Sequence, residues 1–317
     1  MRDEFVAVTE RNGIVDCRHY ASAVLVDDTG SIVWSLGDPE RIVFERSTTK
    51  PFRALAVLRG GCLSAFRLTE GDIALVAGSH SGTIDHVGHA AELLAKIGAS
   101  VDEVQCGIRL PLGEDGLRQL ATAGQPLNAL HCDCSGEHIG ILALCRRLDY
   151  STRDYLAANH PVQTILSASL AEFGEARAVG CTVDRCGMPT AAVSLATVAR
   201  RMGKLVLTRE HDEHVDLLLR AIIRHPMVYT GRGRIIGELI ARSSGEIFGK
   251  CGAEGLYAVV WPGGLALALK IADGNPRAAV PVLYRAAEAA GVGVPNLDDC
   301  VNTGVFSVVR PVTQKDE

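Results

Sequence analysis

The stretch Arg41-Ile42-Val43-Phe44-Glu45-Arg46-Ser47-Thr48-Thr49-Lys50-Pro51-Phe52 decides how the chain is read. Its first four residues are an extended-looking run, and Phe52, Leu55, Ala56 and Leu58 carry on as an apolar segment of helical period. Pro51 has no N–H to donate, so it fits only the first turn of that helix, which must begin between Ser47 and Lys50. Side chains three apart at a helix start lie about 5–6 Å apart at Cβ. A hydroxyl and an amine so placed form a Ser–Lys nucleophile pair, the amine taking the hydroxyl proton. The helix dipole and burial both disfavour an ammonium at Lys50, which favours its use as a base. Serine and threonine are also ordinary N-caps, so the motif draws its weight from the rest of the chain.

With 317 residues, 47% of them apolar and 22% charged, the composition is that of a globular protein with ample core. A formal charge of −5 without a lysine or arginine block argues against nucleic acid. Met1-Arg2-Asp3-Glu4-Phe5 has no apolar signal core. The most apolar run, Leu256 to Ala272, is broken by Pro262-Gly263-Gly264 and carries Lys270, so it reads as two strands and not a membrane span. Ten cysteines without a signal peptide point to a reducing, cytoplasmic setting.

Residues 5–45 read as a β-meander, with Asp27-Asp28-Thr29-Gly30 as a hairpin turn. The Ser47 helix should end near Gly60-Gly61, and the short apolar run Asp72 to Ala77 leads to Gly78-Ser79-His80-Ser81-Gly82, a loop at a strand end. Helical patterns cover His86 to Ile97, Ile139 to Leu148, Arg153 to Phe173, 192–202, 211–224 and 234–243, while 98–135 is irregular. Ala178 to Ala192 is an apolar–turn–apolar passage. Glu246 to Gly249, Tyr257 to Trp261, Leu265 to Ala272 and Val305 to Val309 read as strands, with a helix over Asn275 to Ala290. The expected class is α+β: an antiparallel sheet built from both chain ends, flanked by helices, plus a helical region.

Three elements recur in order: Ser47-x-x-Lys50, Ser79-His80-Ser81, and Lys250-Cys251-Gly252 at a strand end. Serine β-lactamases and penicillin-binding proteins carry Ser-x-x-Lys, Ser-x-Asn and Lys-Thr-Gly in that order. Ser81 and Cys251 depart from that pattern, which argues against a penicillin-type substrate. A second group is Cys134-x-x-Glu137-His138 with Asp184-x-Cys186, all competent zinc ligands, and equally readable as buried thiols beside a helix start.

With both groups in view, the chain resembles the rhizobial-type L-asparaginases, the asparaginase II family, which is similar in fold to serine β-lactamases. The resemblance rests on Arg46-Ser47-Thr48-Thr49-Lys50-Pro51, Ser79-His80-Ser81, Cys134-Ser135-Gly136-Glu137-His138-Ile139-Gly140, Asp184-Arg185-Cys186-Gly187-Met188-Pro189-Thr190, His225-Pro226, Gly249-Lys250 and Lys270-Ile271-Ala272-Asp273-Gly274-Asn275, in order from about residue 5 to 290. It implies one domain over 1–317 with a mainly helical insertion at about 85–245. It also implies two catalytic Ser–Lys pairs, Ser47 with Lys50 as the attacking pair and Ser79 with Lys250 as the second. One zinc ion per chain is implied at Cys134 and Cys186, not necessarily catalytic, with Glu137 standing where a family member has lysine. A homodimer is implied as well.

The expected substrate is L-asparagine, hydrolysed to L-aspartate and ammonia through an acyl-enzyme. Arg46, His80, Arg232 and Arg234 are candidates to hold its carboxylate, and Asp184 and Asp273 join Arg46 and His80 as expected substrate-binding residues. Gly231-Arg232-Gly233-Arg234 reads equally as a helix-capping loop. Spacing leaves open which serine bears the acyl group, and asparagine against glutamine, which differ by one methylene. The competing readings are a serine glutaminase or β-lactam/peptide hydrolase on the same scaffold, and a catalytically silent, zinc-stabilised amino-acid-binding protein.

Overall fold

A computed structural model describes residues 3–124, 126–174, 178–301, 307–313 and 316. Its strands are β1 (Glu4–Arg11), β2 (Ile14–Val26), β3 (Ile32–Leu36), β4 (Ile42–Phe44), β5 (Gly180–Val183), β6 (Pro189–Ser194), β7 (Phe248–Cys251), β8 (Leu256–Val260), β9 (Ala266–Ile271) and β10 (Ser307–Pro311). The main sheet runs β10-β1-β2-β9-β8-β7, its pairs all antiparallel. Strand β2 is long enough to take β1 and then β3 along one edge while β9 pairs along the other. Both ends of the chain therefore build one sheet, as the terminal strand patterns led us to expect. The turn Pro262-Gly263-Gly264 joins β8 to β9, with Gly263 at φ 79°, a left-handed conformation that glycine adopts without cost.

The helices are α1 (Lys50–Arg59), α2 (Cys62–Ala65), α3 (Glu70–Ala77), α4 (Ile84–Lys96), α5 (Glu114–Ala123), α6 (Ser135–Arg147), α7 (Pro161–Ala171), α8 (Leu195–Leu207), α9 (Glu213–Arg224), α10 (Pro226–Tyr229), α11 (Ile235–Arg242) and α12 (Ala279–Ala290). Helices α8 and α12 both pack on β2 and β9, and the unbroken burial of β8 requires cover on both sheet faces. Helix α1 lies inside the helical layer, against α3, α6, α7 and α9. Phe52 and Ala54 to Leu58 are all buried, which is why α1 is apolar nearly all round.

Four expectations need correction. Asp72 to Ala77 belongs to helix α3, buried on all sides and started by a Thr69–Asp72 capping box, so the loop at Ser79 follows a helix and not a strand. Only Pro161–Ala171 of the stretch Arg153 to Phe173 is helical, since His160 caps that helix from an extended conformation. Helix α5 interrupts the supposedly irregular 98–135 region. Strands β4, β6 and β5 form a separate small sheet that local patterning did not reveal. Of the expected last strand, residues 305 and 306 lie outside the described residues, and β10 occupies Ser307–Pro311.

Candidate active site

The small sheet aims the first motif. Phe44 of β4 pairs with Ala192 of β6, the Glu45 N–H donates to Ala191 O at 3.0 Å, and the Arg46 N–H donates to Thr190 Oγ1 at 3.0 Å. Arg46 is thereby held at φ 51°, a left-handed conformation that costs a non-glycine residue about 1–3 kcal/mol. The chain turns there from strand into a 3-10 segment, Arg46–Thr49, that runs on into α1. Thr48 and Thr49 brace this turn by donating to Glu45 O at 2.6 Å and Arg46 O at 2.9 Å. Ser47 faces a cavity of about 440 Å³, and its hydroxyl has no hydrogen-bond partner among the described residues.

Ser79 opens on the same cavity. It follows Gly78, where a Cβ would stand 2.5 Å from Tyr229 O, so only glycine allows the Ser79 N–H to reach that carbonyl at 2.9 Å. Two buried lysines converge on the Ser79 hydroxyl. Lys250 Nζ on β7 donates to Ser79 Oγ at 2.8 Å and to Cys251 O at 3.2 Å, and lies 5.3 Å from the Tyr229 ring centroid. Lys50 Nζ donates to Ser79 Oγ at 3.1 Å and to Gly78 O at 2.9 Å, with Glu137 Oε2 at 3.5 Å.

Their neighbours differ, and so do their charges. Burial lowers the Lys250 amine to about 8, and the Lys50 and Arg234 cations press the same way against the opposing pull of Cys251. Burial also works against a charge on Lys50, but Cys134, Glu137 and Asp133 outweigh it and raise its pKa well above the ordinary lysine value. Glu137 in turn is held at about 2 in spite of burial, because Arg53 and Lys50 both face it.

The expected hydrogen-bonded pair of Ser47 and Lys50 is therefore not formed: the lysine turns inward to Gly78, Ser79 and Glu137. Arg46 and Asp184 bind each other, Nε–Oδ1 at 2.7 Å and Nη2–Oδ1 at 2.6 Å, and the Arg185 N–H adds a third bond to Asp184 at 2.7 Å. His80 is fully buried away from the cavity. Its Nδ1 accepts from the Gly82 N–H at 3.1 Å, which leaves Nε2–H to donate to Ser135 Oγ at 2.8 Å. Burial first, then His86, pushes its pKa well below the ordinary imidazole value. Asp273 pairs with His19 Nδ1 at 2.9 Å and accepts from the Asn275 N–H at 2.9 Å, so it shapes the loop whose Gly274 and Pro276 line the cavity.

Cys134, Glu137 and Cys186 bring one ligand atom each within 4.8 Å of one another, all buried, and Cys132, Asp133 and Cys134 form a second such group. The first group fits a zinc ion. Glu137 Oε2 is buried without a hydrogen-bond partner. The Cys186 thiol is pushed up by its bond with Cys134 and then by burial, which a divalent cation would reverse by taking thiolates. The sequence reading overlooked Asp133, Arg185 and Glu254, which line the cavity, and Arg53, which pairs with Glu137. None of these belongs to a spaced motif. Asp133 stands next to Cys134, and Arg185 was quoted only as a member of the Asp184–Thr190 stretch with no role given; those positions were the one available hint.

Residues 7–311 match the family described as L-asparaginase II. No curated protein matches the chain. Among solved structures, the chain is similar to Mglu in its native form, with 14% identity and a TM-score of 0.38, covering 87% of this chain and 65% of that one. It is similar also to a β-lactamase from Mycobacterium bovis, with 14% identity and a TM-score of 0.35, covering 85% of this chain and 94% of that one. Among the described residues, no helix is long and apolar enough to cross a membrane.

Proposed function

Because the chain belongs to the L-asparaginase II family, we propose that it hydrolyses the side-chain amide of L-asparagine, giving L-aspartate and ammonia through a Ser–Lys acyl-enzyme. The observation that carries this reading is the buried run Lys50–Ser79–Lys250, whose Ser79 lines the same cavity as the unpartnered Ser47 hydroxyl.

Ser47 Oγ attacks the amide carbon. Its proton passes to Ser79 as Ser79 gives its own to neutral Lys250. Backbone N–H groups at the helix start are the available donors to the oxyanion. As the C–N bond breaks, Lys250 returns the proton through Ser79 to the leaving nitrogen, which departs as ammonia. Water then cleaves the aspartyl ester by the same relay. Lys50 keeps its charge throughout and holds Ser79 in line. The 2.8 Å contact between Lys250 and Ser79 favours a second reading, in which Ser79 itself attacks.

Cys134, Cys186 and Glu137 would hold a zinc ion, which when bound supplies a Lewis-acid charge next to Lys50 and ties the α6 start to the β5–β6 turn. The helix–loop–strand placement of the three motifs supports a serine β-lactamase-like fold. The reading is completed by a homodimer, on the resemblance alone, and by a cytoplasmic setting, on the ten cysteines.

Ammonia release by purified protein tests it, with L-asparagine and L-glutamine as substrates and Ser47→Ala as control. Release from asparagine that vanishes in the variant is expected. Release from glutamine alone would replace the substrate, and acylation by a β-lactam without ammonia release would replace the reaction. Folded protein that binds an amino acid tightly and releases nothing would overturn the enzyme reading.

A further inference from the structure

The geometry points to a zwitterion clamp at the cavity: Asp133 binds the α-ammonium, and Arg234 the α-carboxylate, of a free amino acid whose side-chain amide is delivered to the serines. This inference rests on the amidohydrolase reading and narrows its substrates to unblocked amino acids.

The pairing follows from which charges near the cavity are already engaged. Of the carboxylates, Asp184 is bound by Arg46 and by the Arg185 N–H. Glu137 lies between Arg53 and Lys50. Glu254 lines the cavity but is exposed. Asp133 lines the cavity with its side chain only 12% exposed, and its one ion-pair contact among the described residues is Arg185 Nη2 at 3.4 Å, beyond good hydrogen-bond length. It is thus a largely desolvated carboxylate with accepting capacity to spare, the partner an ammonium requires.

The arginines divide in the same way. Arg46 is engaged by Asp184, and Arg185 is 55% exposed, its guanidinium open to water. Arg234, at the start of α11, has no carboxylate partner among the described residues, and the one side-chain hydrogen bond it makes among them is to Cys251 Sγ at 3.9 Å. An arginine turned into a cavity with its fork of donors unfilled is suited to a carboxylate held by two parallel bonds. A peptide bond at either α-group would remove one charge and leave its partner unmatched, so a clamp of this kind rejects peptides and ring-closed amides.

Binding is measured by calorimetry on Ser47→Ala protein, so that turnover does not enter. The probes are L-asparagine, succinamate (asparagine without its amino group) and 3-aminopropanamide (asparagine without its carboxylate). Each missing charge should weaken binding about 10- to 100-fold, the scale of a charge-assisted hydrogen bond. Adding Asp133→Asn should weaken asparagine by the same factor and leave succinamate unchanged. Adding Arg234→Gln should weaken asparagine and succinamate and leave 3-aminopropanamide unchanged. The clamp is overturned by succinamate binding as well as asparagine, by the loss falling on Glu254→Gln instead of Asp133→Asn, or by no binding at all. Discrimination among the three probes without ammonia release by the wild-type protein would keep the clamp and remove the hydrolase reading.

Discussion

Lys50 and Lys250 are the same residue type, both buried, both donating to the one oxygen of Ser79 at 3.1 and 2.8 Å. Their charges are pushed in opposite directions. Lys250 has an aromatic ring, a thiol and Arg234 for neighbours, and falls to about 8. Lys50 has Glu137 and Asp133 close by and stays a cation. Burial acts on both alike, so the groups facing Lys50, Cys134 first and then the carboxylates of Glu137 and Asp133, decide. A hydroxyl held between a proton acceptor and a fixed cation can pass a proton in one direction and back, which two identical lysines would not allow.

The largest expected effect comes from removing the acceptor. Lys250→Met should lower kcat by about 10³-fold in protein that melts as the wild type does, because a buried amine is exchanged for an apolar chain of similar size. A loss below tenfold would mean that Lys250 is not the base.

Next comes the carboxylate that sets Lys50 apart. Glu137→Gln leaves Arg53 and Lys50 without their anion, and in metal-free protein should cost about 3 kcal/mol of stability, read by urea unfolding. Unchanged stability would show that Lys50 is neutral and the contrast false.

The pH profile sharpens the same contrast. The base must be neutral, and raising the pH deprotonates it, so kcat/KM should climb about tenfold per unit and level off near the value of about 8 set by burial of Lys250. A falling limb in that range would assign the required form to an ammonium.

The smallest effect belongs to Cys251. Its thiol, lowered in spite of burial by Lys250 and Arg234, pulls the Lys250 pKa upward. Cys251→Ala should therefore move the rising limb to lower pH, and movement to higher pH would contradict the proposed surroundings of Lys250.

Much of this was legible in the sequence, for local reasons. Pro51 fixed where α1 starts, Asp27-Asp28-Thr29-Gly30 marked the β2–β3 turn, and Pro262-Gly263-Gly264 split one apolar run into β8 and β9. Each is a backbone restriction that acts over a few residues. The motif order also brought Ser47, Lys50, Ser79 and Lys250 to one place. Pairings over long separations left no local trace. The register of Phe44 with Ala192, the Arg53–Glu137 contact and the convergence of two lysines on Ser79 are tertiary. Helix α3 was hidden for another reason: burial on every side erases the period that distinguishes helix from strand. His80 and Asp273 carry the right chemistry for binding, but their hydrogen bonds are spent on the protein itself.

The most direct test of the Ser–Lys proposal is to quench the protein during turnover of L-asparagine and locate the aspartyl ester by peptide mass spectrometry. An ester on the peptide containing Ser47, absent in Ser47→Ala, is the expected result. An ester on Ser79, or ammonia release with no covalent adduct at all, would contradict the division of labour proposed for the two serines and two lysines.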